Sequence, residues 1–522
     1  MQNNGENSRI TKMTTVSGGT KEIVSELSLP DYLPDVSRLL RTHAAIGGKS
    51  SYLNGQTLEY DGELNYTVVY ATSDGRIKSV PLSAEFDGGV ALPEMTGDYD
   101  AEASIKIENV NCRLQNPRRL SVRTKLSVFA DIYSYEETAP VIAGKSSAED
   151  EAHIEKRFLN FDTAKRVCAA DENVPISEDL ELDAQAPAVA EIVSVTLSPY
   201  IGEVRAADGA LSYKGEILAE VIYLAASDDA DSPAEYYSFY RSVPISGEVD
   251  AEGVSENCFA CGYATVSAPE FRPQANALGE NRVVEIDFSY TARLCALCNE
   301  PSEAVIDMYS TDYAGALDRK KLEYRRALRA GTFNFTCDGT SPLDDKSCDK
   351  VVSKSAAATV DKTEQNGSKA VMTGSADVSV ILTDGKGTYI GRTFSVPFRA
   401  ETEIGKCGGT LECETHPSVL GAYARVDGGE IKCDVEIGVS FEAYDKASVD
   451  AAEKFTLIKD RPQKRISPAN IVICYPSQGE ELWDVAKRYG ISEGEIRAAN
   501  SLSGDNVAGR VIIIPNGKKK RG

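Results

Sequence analysis

Three segments of this chain carry one skeleton, and that repetition limits the fold more than any other feature. The first copy reads Asn54-Gly55, then Gly62 to Tyr70, then Ser79-Val80-Pro81. The second reads Asp208-Gly209, Gly215 to Tyr223 and Ser242-Val243-Pro244. The third reads Asn366-Gly367, Gly374 to Leu382 and Ser395-Val396-Pro397. Asn-Gly or Asp-Gly between strand-like runs signals a two-residue hairpin, because such turns need positive φ. The glycine six or seven residues later marks a bulge or a close backbone approach within a strand. A period of roughly 155 residues is too long for a solenoid turn and implies duplicated domains. Each copy continues into partly alternating runs, such as Leu120–Phe129, Val283–Tyr290 and Ile431–Val439, as a sheet with one buried face requires. The fold class predicted is mainly β: three β-rich repeat domains, sandwich or barrel-like. Helix is scarce; the best candidate before the last segment is Pro34 to Thr42, with Val36, Leu39 and Leu40 on one face.

The segment from Ile471 to Pro515 is patterned differently. An apolar strand, Ile471 to Ile473, leads to a turn at Gly479. Leu482, Val485, Ala486 and Tyr489 then recur at helical spacing, and Gly490 closes that helix. Ser492 and Glu495 form a capping box for a second helix, stapled by Ile491 and Ile496 and closed by Asn500. Val511 to Ile514 make a second strand, so the order is βααβ. Gly479, Leu482-Trp483-Asp484-Val485-Ala486, Arg488-Tyr489-Gly490, Ala499-Asn500 and Ile513-Ile514-Pro515 together resemble a LysM domain, a module that binds N-acetylglucosamine polymers. The resemblance implies a ligand- or partner-facing set of Gln478, Gly479, Glu480, Glu481, Trp483, Ser501, Leu502, Asn506 and Val507. One departure stands out. Glu480-Glu481 replaces the Asp-Thr or Asp-Ser of the family, which puts two carboxylates at the mouth of the expected sugar groove and removes a capping hydroxyl. Trp483 sits at the edge of the apolar stripe, either packed against the second strand or half-exposed as a binding anchor.

The run Leu29-Pro30-Asp31-Tyr32-Leu33-Pro34-Asp35-Val36-Ser37-Arg38-Leu39-Leu40, with the Gly62–Tyr70 strand, resembles the SPOCS domain of spore-coat proteins. Leu182 to Pro187 echoes it faintly in the second copy. SPOCS domains followed by LysM are the order of SipL-type proteins. The resemblance implies a non-catalytic adaptor in the mother-cell cytoplasm, at the forespore surface and in the spore coat. Its LysM would meet the basement-layer morphogenetic ATPase, alongside other coat proteins. A lectin that holds peptidoglycan or cortex glycan is the rival reading, and a metal enzyme in the second repeat is the third. The expected domains are a disordered tail at 1–20, SPOCS-like domains at 21–150, 151–318 and 319–466, LysM at 467–516 and a basic tail at 517–522. Linkers are expected at 146–151 and 459–465.

Composition excludes some classes. With 56 basic and 80 acidic residues the net charge is −24, the wrong sign for nucleic acid. The acidity serves solubility, or meets a basic partner. The tail Lys518 to Arg521 is solvated, or contacts an acidic partner or an anionic membrane. No run approaches the ~18 apolar residues of a membrane span, and no secretory signal opens the chain. The chain is therefore expected in the cytosol, with its twelve cysteines mostly reduced. No Walker loop, Ser-nucleophile elbow or His-rich metal motif occurs. Gly385-Lys386-Gly387 lies between two strands and reads as a hairpin turn. The one constellation with metal-site character is Cys258-x-x-Cys261 with Cys295-x-x-Cys298. A hairpin turning near residue 278 would bring the pairs together. The four thiols would then hold zinc, form a redox-made disulfide, or simply be small buried residues.

Overall fold

The computed structural model describes residues 9–95, 97–143, 153–227, 234–276, 278–343, 347–462, 471–502 and 504–515. The expected linker at 146–151 and the basic tail lie outside the described residues. The first repeat supplies β1 (Arg9–Ser28), β2 (Arg38–Asn54), β3 (Thr57–Ala71), β4 (Ile77–Ala91), β5 (Tyr99–Asn116) and β6 (Arg119–Glu137). They form two three-stranded antiparallel sheets, ordered β1-β6-β5 and β2-β3-β4. A short β7 (Val141–Ala143) follows. The second repeat supplies β8 (Ile154–Glu181), β9 (Val189–Ala207), β10 (Ala210–Ala225), β11 (Tyr236–Asp250), β12 (Phe259–Val266), β13 (Glu270–Ala275) and β14 (Asn281–Ser310). Its topology is the same, with one edge strand broken into β12 and β13. The third supplies β15 (Tyr313–Pro342), β16 (Lys350–Asn366), β17 (Lys369–Thr383), β18 (Tyr389–Glu403), β19 (Thr410–Asp427) and β20 (Glu430–Pro462). In each repeat the first strand pairs with the last, and the two sheets close over an apolar core. β21 (Ile471–Cys474), α1 (Leu482–Tyr489), α2 (Glu493–Asn500) and β22 (Ile512–Pro515) complete the described chain.

The repeat motif acts as its chemistry requires. Gly55, Gly209 and Gly367 take positive φ in the three hairpin turns. The later glycines are sites of close approach. A Cβ at Gly374 would lie 2.0 Å from the Thr359 carbonyl oxygen, and one at Gly215 would lie 2.2 Å from that of Tyr200. Each faces a register shift in its neighbouring strand. The loop before the central hairpin recurs in the first two repeats. Arg118 donates to the carbonyls of Pro30 and Leu33, and Tyr70 donates to Pro34. Arg282 and Tyr223 do the same for Asp183, Ala186 and Pro187. The faint sequence echo at Leu182–Pro187 is thus the same clamped loop.

Four expectations are corrected. Residues 9–20 are not a disordered tail: they belong to β1, whose mostly polar side chains hide an edge strand paired along its length with β6. Pro34–Thr42 is not a helix. Residues 29–37 form the clamped loop, and Arg38 opens β2, where Leu39 and Leu40 fall on opposite faces. The domain boundary expected between 318 and 319 falls inside β15, and the linker expected from 459 is still β20 up to Pro462.

The three sandwiches meet at a junction built from equivalent positions. Leu40, Val193 and Val352 come together there with Val69, Ile222 and Ile381, and with Ile77, Tyr236 and Tyr389. The next position along the first set holds Arg41, Ser194 and Ser353. Arg41 Nη1 lies 3.0 Å from Glu220 and 3.0 Å from the Ser353 hydroxyl, and both charged side chains are almost solvent-free. Ser353 and Tyr240 donate to the same Glu220 oxygen at 2.6 and 3.0 Å. A second polar junction joins Arg166 of the second sandwich to Glu442 of the third at 2.7 Å, with Tyr133 of the first accepting at 3.3 Å. Finally, β7 runs from the first sandwich to pair in parallel with β20 of the third.

Two predictions follow from this packing. Gly374→Ala should destabilise the chain by roughly 1–3 kcal/mol, because the strands must separate to admit the methyl. Gly331→Ala, where a Cβ meets open space, should stay within about 1 kcal/mol of the parent. Equal urea midpoints for the two variants would contradict the close approach. At the second junction, burial and the neighbouring Glu442 raise the Glu414 carboxyl from 4.5 to about 7, against the pull of Arg166. The folded state then holds a proton that the unfolded chain has already released. This contribution to stability is complete below about 4.5 and is lost as pH rises through about 7. Glu414→Gln should remove that slope and be more stable than the parent at about pH 8. A parent-like slope in the variant would assign the titration elsewhere.

Candidate functional site

The βααβ segment forms as its caps dictate. Gly479 makes the turn at φ 88°, and Gly490 ends α1 at φ 64°. Ser492 Oγ accepts from the Glu495 amide at 3.2 Å, and the Glu495 carboxylate accepts from the Ser492 amide at 3.3 Å. Leu482, Val485, Ala486, Ile496, Ile512 and Ile514 fill the core. The left-handed residue after α2 is Ser501, at φ 50°, and not Asn500. Asn500 instead ties α2 to β22: its amide donates to the Ile513 carbonyl at 2.6 Å and accepts from the Ile513 N–H at 2.7 Å.

Apart from Trp483, the residues expected to face a ligand divide into three groups. Gln478, Gly479, Ser501 and Asn506 are exposed. The Leu482 N–H donates to Asp505, and Glu481 bridges to Asn506, so the two loops that carry them lie side by side. Val507 is completely buried and Leu502 packs beside it, so these two support the module and do not present it. The two carboxylates are occupied. Glu480 accepts from the Ser477 amide at 2.7 Å and pairs with Arg488 of α1. Glu481 stands at the N-cap of α1, where Asp484 accepts its amide at 3.0 Å, while its own carboxylate reaches Arg157 of β8.

The Trp483 indole is not half-exposed but faces another part of the chain. It is 5% exposed and lies against the second sandwich. Its Nε1 donates to Asp307 Oδ2 at 2.8 Å, and Lys487 Nζ lies 2.7 Å from both Asp307 oxygens. Tyr309 meets the indole edge-on at 4.9 Å and donates to the Ile491 carbonyl at 2.8 Å. Burial alone would raise the Asp307 pKa, but the hydrogen bonds from Lys487 and Trp483 hold it below the usual carboxylate range. The module is therefore docked, and Trp483 is an anchor used within the chain. Sequence reasoning missed Asp307, Tyr309 and Arg157; the one available signal was an acid inside the apolar run Ala304–Tyr309. It also missed the outer face of the module's sheet. There Ile473 and Ile513 pair directly, and Ile473, Tyr475 and Val511 are more than half exposed.

The cysteine quartet is not a metal centre. The hairpin does turn where expected, and Cys261 opposes Cys295 across β12 and β14. Yet Cys295 and Cys298, three apart within β14, fall on opposite faces of the strand, and Cys258 lies in the turn before β12. Cys258 and Cys298 form a disulfide on the face toward the core of the second sandwich. Cys261 and Cys295 point to the third sandwich, beside Ala327, Ala330 and Tyr444. Burial holds the Cys261 thiol well above its ordinary pKa, and a hydrogen bond with Cys168 together with burial does so for Cys295, the reverse of what thiolate ligation needs. No cluster among the described residues has the ligands for a metal ion. No helix among them is long and apolar enough to cross a membrane.

Trp483 is the sole tryptophan, so its emission reports the docking. Asp307→Ala strands both Lys487 and the indole N–H, a loss of about 1–3 kcal/mol. Trp483 fluorescence should shift to the red and become open to acrylamide quenching. Unchanged emission would count against the docked arrangement.

The comparisons with known proteins fall on these two adjoining units. The SipL, SPOCS domain model matches residues 188–270, within the second sandwich. The LysM domain model matches residues 477–515. Both matched domains are non-catalytic. Among curated proteins none matches the chain. A SipL SPOCS domain followed by a LysM domain is the pairing of SipL-type spore coat proteins, and this chain carries it.

Proposed function

We propose that the chain is a non-catalytic adaptor in spore-coat assembly, acting in the mother cell at the forespore surface. In this reading the first and third sandwiches are divergent SPOCS-type domains, supported by the topology they share with the second. The LysM module binds a protein, the ATPase of the coat's basement layer, in preference to a wall glycan. The observation that carries this is the exposed apolar stripe of Ile473, Tyr475, Val511 and Ile513 on the module's sheet. Such a stripe suits a protein surface, where aromatic and aliphatic anchors supply affinity. A hydroxyl-rich glycan would gain little from it. The occupied Glu480 and Glu481 and the buried Trp483 leave the expected sugar groove with Gln478, Gly479, Ser501 and Asn506 as its open polar groups.

A paired assay separates the two ligands. Tyr475→Ser and Ile473→Ser alter exposed side chains and should change stability by no more than about 0.5 kcal/mol. Each should weaken capture of the ATPase by about tenfold or more, while Gln478→Ala and Asn506→Ala leave it unchanged. Retention on insoluble peptidoglycan that is lost with Gln478→Ala and Asn506→Ala, and kept with Tyr475→Ser, would establish the lectin reading instead.

A further inference from the structure

A cavity of about 470 Å³ lies where the first two sandwiches meet, and His416 of the third closes one side. Its charge is opposite to that of the chain. Lys49, Lys106 and Arg293 line it, and no carboxylate among the described residues does, although acidic residues outnumber basic ones 80 to 56 overall. Two acids act from behind the wall: Glu102 lies 3.9 Å from Arg293, and Glu102 and Asp131 both bear on Lys49. Lys49 is drawn inward and donates to the Ala103 carbonyl at 3.2 Å. Lys106 has no acidic partner within ion-pair distance among the described residues. The rest of the lining is rich in amides and hydroxyls, with Asn65, Asn173, Thr265, Ser267, Ser289 and Thr291. His416 stacks on Tyr263 at 3.9 Å; burial and the nearby Lys106 lower its pKa to about 4, so it is a neutral group there at physiological pH.

The backbone is also shaped around this space. The β2–β3 register slips between Ile46 and Lys49, which leaves Gly47 and Gly48 as a bulge on the wall. A Cβ at Gly48 would meet open space. The β8–β14 register slips between Tyr290 and Ala292, where Asn173 takes φ 53°. Bulges and left-handed non-glycine residues commonly mark sites where a ligand is received.

We propose that this cavity binds a small sugar phosphate. The three cations would hold the phosphate as charge-assisted donors, and the amide and hydroxyl lining would bind the sugar hydroxyls. The volume lies within the range of small-molecule sites. Binding would lock the first two sandwiches together and so couple the adaptor to a soluble metabolite.

The test is calorimetric titration of the full chain with glucose 6-phosphate, and with glucose and inorganic phosphate separately. Saturable binding of glucose 6-phosphate is expected, tighter than either fragment and weakened by salt. Lys106→Gln alters an exposed side chain and Lys49→Met keeps the buried stem; each should weaken binding by roughly tenfold. Lys125→Gln, which lies outside the cavity, should not. Lys106→Gln carries the test even where Lys49→Met lowers the melting temperature. Absent heat for glucose 6-phosphate, inorganic phosphate binding as tightly as the ester, or undiminished binding in Lys106→Gln would each overturn the proposal.

Discussion

One guanidinium, shut away from water, determines how the rest of this molecule is arranged. Arg41 of the first sandwich meets Glu220 of the second and Ser353 of the third where three copies of one fold face each other. The apolar residues around it are near equivalents and would tolerate any order of the three domains. The polar ones would not. The position of Arg41 is serine in the other two copies, and that of Glu220 is threonine or serine. Only one arrangement satisfies both buried charges, and any other leaves one unpaired at a cost of several kcal/mol. The ion pair thus supplies identity where the duplicated cores supply adhesion.

The docked module extends the same logic outward. Asp307 sits where the register of β14 slips against β8, which turns a carboxylate toward the LysM surface. There it gathers an indole N–H and an ammonium group. Tyr309 closes the contact with its ring on the indole and its hydroxyl on the end of α1. An aromatic that would usually serve as a binding anchor is consumed in fixing the module, and the sheet on the other side stays open. A partner of the module is therefore met in a set orientation relative to the three sandwiches.

What could be read from the sequence follows from the range of the forces involved. Hairpin glycines, capping boxes and helix spacings are local, and they are legible at Gly55, Ser492 and Leu482. Close approach at Gly215 and Gly374 is legible because a missing side chain within a strand has few other uses. β1 is not, because a polar edge strand lacks the apolar alternation that announces a buried one. Pro34–Thr42 misleads because Val36, Leu39 and Leu40 fit a helical stripe as well as a loop entering a strand. The cysteine pairs mislead because their spacing suits a knuckle, and a strand sends alternate residues to opposite faces. Trp483–Asp307 and Arg41–Glu220 span 176 and 179 residues, and no local pattern encodes a partner at that distance.

The parallel pairing of β7 with β20 bears on how the chain is made. Val141–Ala143 leave the ribosome long before Lys454–Thr456 exist to receive them. At about 5–20 residues per second the interval is roughly 15–60 s. In its first part, until the second sandwich is made, the first sandwich can complete both its sheets yet shows Leu40, Val69 and Ile77 uncovered, with Arg41 still hydrated among them. The nascent protein is therefore a sticky half-assembly with a waiting strand. It is at its most vulnerable to neighbouring copies on the same message, whose own first sandwiches display the same face.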